Sequence, residues 1–415
     1  MHLLALAFLT LTLPPSQAQF SIAWSRPRIQ ELSPGRFSDH FANTPQQMQR
    51  LSRLVLLDAC GSMASKSSSP WDGYLNVWRF YPISGDGRQH LQPLATLESH
   101  DCRVSWQAPL EGLYLVQMTV LSEANQTLAR HSAPFFVKEL WLVAIGDSFA
   151  SGQGTPDVAS GLGGMVPAVW LNASCRRSSS GFPFLLYQRL ALKYPKHGLL
   201  FTYIPCSGAS IYPHILGAQI PLLETLLQQP CGAEGCSCLW EPNWIVATGG
   251  GNDLGYRHLI NGLLTGHKDP LHKVPSLLKR LDDSLQDLAT RMTVLDLFYL
   301  VEYFDPLKNG DGLVDASCGL GLATTWDFLL AERIFRRPLR ESQERAANAS
   351  GWVFVSGVAS AFQAHGLCSK QPFIRSIPAS LNLQGDADGA FHPSREGQHL
   401  TAAILWQHLH FPPSS

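Results

Sequence analysis

A flavodoxin-like three-layer αβα sandwich on a five-stranded parallel sheet, preceded by a small all-β sandwich, is the fold class predicted by three features of the sequence. Beyond residue 139, five short apolar runs alternate with longer amphipathic stretches, the pattern of buried parallel strands covered by helices on both faces. Between residues 51 and 138, short alternating runs rich in aromatics are separated by Ser, Gly, Pro and Asp turns, the pattern of an antiparallel sandwich. The length, 415 residues, exceeds what one ordinary core organises.

In chain order, residues 1–18 read as a secretory signal peptide. Leu3 to Leu13 is an apolar core too short to span a bilayer, followed by Pro14-Pro15 and the small-x-small site Ser16-Gln17-Ala18. Residues 19–50 mix Pro, Gln, Ser and Arg without periodicity and are expected to be an irregular leader. Residues 51–138 form the sandwich domain, of immunoglobulin or PKD type, with runs such as Tyr74–Phe80 and Leu113–Val120, and Cys60 and Cys102 are placed to staple it. In the α/β domain, 139–412, strands are expected at Trp141–Ile145, Leu199–Ile204, Trp244–Thr248, Met292–Leu300 and Trp352–Val355. Helices are expected over Phe182–Lys193, Ser276–Thr290, Trp326–Ala347 and Gly397–Leu409, joined by right-handed crossovers.

Composition narrows the function. A net charge of −1 offers no electrostatic footprint for nucleic acid or an anionic membrane surface, and no later segment is long and apolar enough to cross a bilayer. Nine cysteines in an exported chain favour disulfides, and the cluster Cys231, Cys236, Cys238 lacks paired C-x-x-C zinc spacing. Sequons at Asn125, Asn172 and Asn348 are candidate glycan sites on exposed surface. The segment Asp305–Asp315 has the composition of a calcium loop but fails the EF-hand spacing and reads as a polar surface loop; neither metal nor cofactor is expected.

Chemistry concentrates at strand ends. Gly146-Asp147-Ser148 follows the first buried run, which places Ser148 at the carboxyl edge of the sheet, where open α/β sheets bind ligands. Ala150 excludes the G-x-S-x-G elbow of α/β-hydrolases. A serine hydroxyl needs a base, and His392, just before the last helix, returns to the same edge. Gly249-Gly250-Gly251-Asn252 follows the third strand and Cys206-Ser207-Gly208 the second. The Asn252 amide and the Gly208 N–H are candidate donors to an oxyanion.

Ser, Gly, Asn and His in four separated blocks, in that order, resemble the SGNH (GDSL-type) hydrolases over residues 140–410. Cys175-Arg176-Arg177-Ser178 with Gly181-Phe182-Pro183, then Pro205–Ala209, resemble the secreted bacterial lipases and esterases of that superfamily. The resemblance implies Ser148 as nucleophile, His392 as base, and an oxyanion hole from the Ser148 N–H, Gly208 and Asn252. It also implies disulfides Cys175–Cys206 and Cys318–Cys368, with a third drawn from Cys231, Cys236 and Cys238. One departure stands out. The family's Asp three residues before the histidine is Gly389 here, so either Asp388, one residue further away, or a main-chain carbonyl near Gly389 orients His392.

The function expected is a secreted serine ester hydrolase of lipase or carboxylesterase type, acting on a small acyl ester or lipid through an acyl-enzyme. The alternatives are a carbohydrate O-deacetylase, or a non-catalytic secreted binding protein whose N-terminal sandwich contacts protein or glycan.

Overall fold

A computed structural model describes residues 21–27, 41–63, 74–85, 87–161, 164–229, 240–267, 269–292, 297–315 and 323–413. The expected signal peptide and Cys231, Cys236, Cys238 and Cys318 lie outside them. The chain divides into two compact units, Leu54–Val137 with the stretch up to Arg26, and Pro27–Arg53 with Lys138–Ser415.

The first unit has two antiparallel sheets. One is β1 (Ala23–Ser25), β2 (Leu54–Asp58) and β5 (Arg103–Gln107), in the order β1-β2-β5. The other comprises β3 (Leu75–Ile83), β4 (Ala95–Ser99), β6 (Gly112–Leu121) and β7 (Thr127–Val137), ordered β4-β3-β6-β7. Alternation puts Trp78 and Phe80 of β3 on one face, and they share a core with Val55, Trp106 and Phe135. Phe80 stacks on Trp106 with ring centroids 4.3 Å apart. A Cys60–Cys102 disulfide links the segment after β2 to the start of β5.

The second unit carries a parallel sheet of β8 (Glu139–Ile145), β9 (Gly198–Tyr203), β10 (Trp244–Ala247), β11 (Phe298–Val301) and β12 (Val353–Val355), ordered β12-β11-β10-β8-β9. Numbered within the sheet this is 2-1-3-4-5, the flavodoxin order, so the switch point falls between β8 and β10. Every residue of β8, β9, β10 and β11 is buried, as a sheet covered on both faces requires. Helices Phe182–Lys193 and Arg395–His408 pack together as one outer layer, and Asp269–Arg291 with Arg337–Ser350 contribute to the other.

The departures from expectation have physical causes. The 19–50 stretch is not one irregular leader: Ala23–Ser25 pairs with β2, while residues 41–51 belong to the α/β unit. The Ala42 N–H donates to the Phe201 carbonyl and the Tyr203 N–H to Asn43 Oδ1, so this segment covers the β9 edge that would otherwise be exposed. Helix Pro45–Leu51 follows, with Thr44 as N-cap, Pro at the first turn and Met48 buried. At the fourth strand, Met292 finishes the preceding helix, its N–H bonding the Leu288 carbonyl at 3.1 Å, and the strand begins only at Phe298. The long helix expected over Trp326–Ala347 runs from Thr325–Ala331 through a wide π turn, Glu332–Arg336, into Arg337–Ser350. Pro338 has no N–H to give the Ile334 carbonyl and its ring crowds that group, which opens the turn.

Candidate active site

Gly146 ends β8 with φ of +130°, and a Cβ there would sit 2.6 Å from the Thr248 carbonyl oxygen. Only glycine lets the ends of β8 and β10 approach so closely. The Gln219 side-chain amide holds both its N–H and its C=O, at 2.7 and 2.8 Å. Asp147 then caps the short helix Ser148–Ser151 by accepting from the Phe149 N–H at 3.1 Å. Its carboxylate also accepts from Thr248 Oγ1, at 2.7 Å, and from the Tyr303 hydroxyl. Burial raises the Asp147 pKa, against the pull of these three donors. Ser148 is thereby presented half-buried at the carboxyl edge of the sheet.

His392 arrives from the other end of the chain. Phe391, in the left-handed region with φ of +61°, is held by Arg375: its N–H donates to the Arg375 carbonyl and Arg375 N–H to the His392 carbonyl, each at 2.8 Å. His392 Nε2 lies 2.8 Å from Ser148 Oγ, and Nδ1 lies 3.0 Å from the Ala390 carbonyl oxygen. A carbonyl only accepts, so the proton sits on Nδ1 and Nε2 is left with a lone pair facing the serine hydroxyl. That is the tautomer a general base needs.

Asp388 is not where the catalytic role expected of it requires. Its carboxylate pairs with Arg257, Oδ1 to Nη2 at 3.0 Å, near the surface, and no hydrogen bond joins it to the imidazole. One residue more than the usual spacing points it away, and the Ala390 carbonyl takes the orienting position. Burial pushes the His392 pKa down to about 4, opposed by the Ala390 carbonyl and, at longer range, by the Asp388 charge. A depressed pKa means the imidazole stays unprotonated as pH falls. Rates of any reaction in which it is the base are expected to hold level from neutral pH to about pH 5 and to halve near 4. An acid limb centred near the unperturbed histidine value, ~6.5, would contradict this.

The oxyanion candidates gather at the same place. Ser148, Gly208, Asn252 and His392 line one pocket of mixed polarity, which Arg257 and Asn261 also border. A Cys175–Cys206 disulfide and the Ser207 N–H donating to the Cys175 carbonyl, 3.0 Å, fix the turn bearing Gly208. Asn252 Nδ2 donates to the Ala209 carbonyl at 2.8 Å, leaving its second amide hydrogen for a ligand. Asp253 beside it accepts from the Ile211 N–H at 2.9 and 3.0 Å, and the Gly251 N–H reaches the Tyr303 hydroxyl at 3.3 Å. Tyr303 and Gln153 were missed by sequence reasoning. Gln153 accepts from Ser207 Oγ and donates to the Asp388 carbonyl, tying the Gly208 turn to the histidine loop.

A mainly apolar cavity also opens beside Ser148 and shares Asn252, Tyr256, Ile260 and His392 with that pocket. One stripe of helix Tyr256–Thr265 (Leu259, Ile260, Leu263) and one of the Pro338-widened helix (Phe328, Phe335, Leu339) form its walls.

Elsewhere, Cys368 is disulfide-bonded, and Cys318, the partner expected for it, lies outside the described residues. The Asp305–Asp315 carboxylates do not converge: Asp305 faces Lys308 and Arg336, while Asn309 Oδ1 pins the turn through the Asp311 and Leu313 N–H groups. Asn125 and Asn348 are exposed, whereas Asn172 is half-buried with its Oδ1 accepting from Cys175 N–H and Ser174 Oγ. Among the described residues no helix is long and apolar enough to cross a membrane.

No family model and no curated protein matches the chain. Solved structures do. An extracellular lipase from Streptomyces rimosus is 20% identical, with 65% of this chain and 99% of that one covered and a TM-score of 0.48. A phospholipase A1 from Streptomyces albidoflavus is 18% identical over 65% and 98%, also with a TM-score of 0.48. An acetylxylan esterase from Geobacillus stearothermophilus, a catalytic mutant, is 15% identical over 66% and 95%, with a TM-score of 0.37. With its 2-1-3-4-5 parallel sheet and Ser148, Gly208, Asn252 and His392 lining one pocket at the ends of its strands, the chain has a flavodoxin-like three-layer αβα fold with a serine–histidine pair at the sheet edge.

Proposed function

We propose that the chain is a secreted serine ester hydrolase that cleaves acyl esters with an apolar acyl chain. The observation that carries this reading is the 2.8 Å approach of Ser148 Oγ to a His392 Nε2 whose other nitrogen donates to a carbonyl. Ser148 Oγ attacks the ester carbonyl carbon as its proton passes to Nε2. The negative charge on the former carbonyl oxygen is held by the N–H groups of Ser148 and Gly208 and the Asn252 amide, each such donor being worth about 10²–10³ in rate. Collapse breaks the bond to the alcohol, which leaves with the proton from Nε2. Water then adds to the acyl-enzyme by the same route and the acid departs.

The apolar cavity beside Ser148 favours a chain of several methylenes over acetate, and the adjoining pocket bordered by Arg257 and Asn261 suits a hydroxyl-bearing alcohol. The Cys60–Cys102 and Cys175–Cys206 bridges accord with an oxidising, extracellular location. The Ala390 carbonyl at Nδ1 weakens the case for a non-catalytic scaffold, since the base is oriented without a carboxylate at position 389.

Purified protein is expected to be labelled by a fluorophosphonate probe and to hydrolyse p-nitrophenyl octanoate at least about tenfold faster than the acetate. Failure of both labelling and hydrolysis would refute the enzyme reading. Acetate alone as substrate would favour a deacetylase.

A further inference from the structure

The apolar cavity beside Ser148 is bounded in one direction by charge. Glu332 and Arg336, in the π turn, and Asp305, just beyond β11, line it together with the leucines and phenylalanines. Asp305 is buried, its side chain 7% exposed, and its Oδ2 lies 3.4 Å from Arg336 Nε and 3.6 Å from Lys308 Nζ. Arg336 Nη2 also meets Glu332 Oε1 at 2.8 Å. Behind this group runs a polar groove bordered by Glu302, Lys308, Arg337, Arg340 and Glu341, and none of Ser148, Asn252 or His392 reaches it. Asp305 and Arg336 line both spaces, so they are the partition between them.

We propose, resting on the ester-hydrolase reading, that the Asp305–Arg336 ion pair is the chain-length stop of the acyl pocket. Each methylene accommodated among Leu259, Leu263, Phe335 and Leu339 is removed from water and adds about fourfold to the rate of acyl capture. A chain long enough to reach the pair displaces water from a buried carboxylate and guanidinium and meets no apolar partner, so the gain ends there. Glu332 and Arg336 follow the i, i+3, i+4 spacing of Phe328, Phe335 and Leu339 and so share the cavity-lining face with them.

The test is a series of n-alkyl p-nitrophenyl fluorophosphonates, from ethyl to hexadecyl, with the inactivation rate constant measured at each length. The wild-type rate is expected to climb with each methylene and then break sharply to a plateau or decline. In Asp305→Asn/Arg336→Ala the break moves to longer chains, and the hexadecyl-to-octyl rate ratio rises about tenfold or more. Arg336→Lys, which keeps charge and reach, keeps the wild-type break. If the double variant does not fold, Arg336→Gln reads the same ratio, with an expected rise of about threefold as the charge alone is lost. A wild-type series without a break, or a break unmoved in a folded variant, overturns the proposal. Absence of labelling at every length would instead sink the ester-hydrolase reading itself.

Discussion

Replacing His392 by alanine is expected to lower kcat/KM for p-nitrophenyl octanoate by about 10⁴-fold or more, while Asp388→Ala stays within about tenfold of wild type. The contrast follows from where the two side chains lie. His392 alone is positioned to take the Ser148 proton, its Nε2 being 2.8 Å from Oγ. Without it the serine keeps its proton and only oxyanion donation and binding remain. The Asp388 carboxylate instead faces Arg257, and its effect on the imidazole is a longer-range charge that supports protonation. Its removal depresses the His392 pKa further below about 4, so the acid limb of the pH profile moves down and the plateau above it is retained. The backbone carbonyl of Asp388 stays in place for Gln153. Steady-state kinetics with the pH profile of both variants settle the matter. Equal losses would show that the carboxylate, rather than the Ala390 carbonyl, orients the base.

The parts of this site legible in the sequence were those with a local signature. Trp141–Ile145 is uniformly apolar because β8 is buried on both faces, and that run locates Ser148 without reference to any partner. His392 and Asn252 were legible because each follows or precedes an element whose periodicity is strong. The supporting hydrogen bonds were not, because they join residues far apart in sequence whose types carry no pattern. Gln219 reaches Gly146 across 73 positions and Tyr303 reaches Asp147 across 156. Residues 41–51 show why composition misleads at a domain entrance. A Gln-rich stretch has no period of its own, yet Phe41 and Ala42 are buried because the β9 edge supplies the partners, Phe201 and Tyr203. The short helix there was marked by Thr44 and Pro45, a cap and first-turn signal that lack of periodicity obscured.

Placing a carboxylate three residues before the histidine, the spacing of the hydrolases that the sequence resembles, by Gly389→Asp, is expected to lower activity by about 10²-fold rather than raise it. A Cβ built on Gly389 would lie 2.5 Å from Gln384 Oε1, 2.7 Å from its Cδ and 2.8 Å from Ser380 Oγ. Neither side chain is free to withdraw. Ser380 Oγ donates to the Asp386 carbonyl at 2.7 Å and accepts the Gly389 N–H at 2.9 Å, and Gln384 Nε2 donates to Asp386 Oδ1 at 2.5 Å. Both residues are buried, so the turn itself must shift. It carries the histidine with it, because the His392 N–H donates to the Gly389 carbonyl at 3.3 Å and the Ala390 carbonyl that holds Nδ1 is the next residue. Overpacking of this kind costs about 1–3 kcal/mol, and Gly389→Ala, which adds the Cβ without the charge, is expected to lose stability in the same direction. Thermal unfolding of both variants beside their pH–rate profiles separates the causes. A destabilised Gly389→Asp enzyme whose acid limb stays near the wild-type position is the expected result. Higher activity, with the limb rising toward the ordinary histidine range, would mean that the new carboxylate had displaced the Ala390 carbonyl from Nδ1 and that the turn is less tightly packed than these contacts imply.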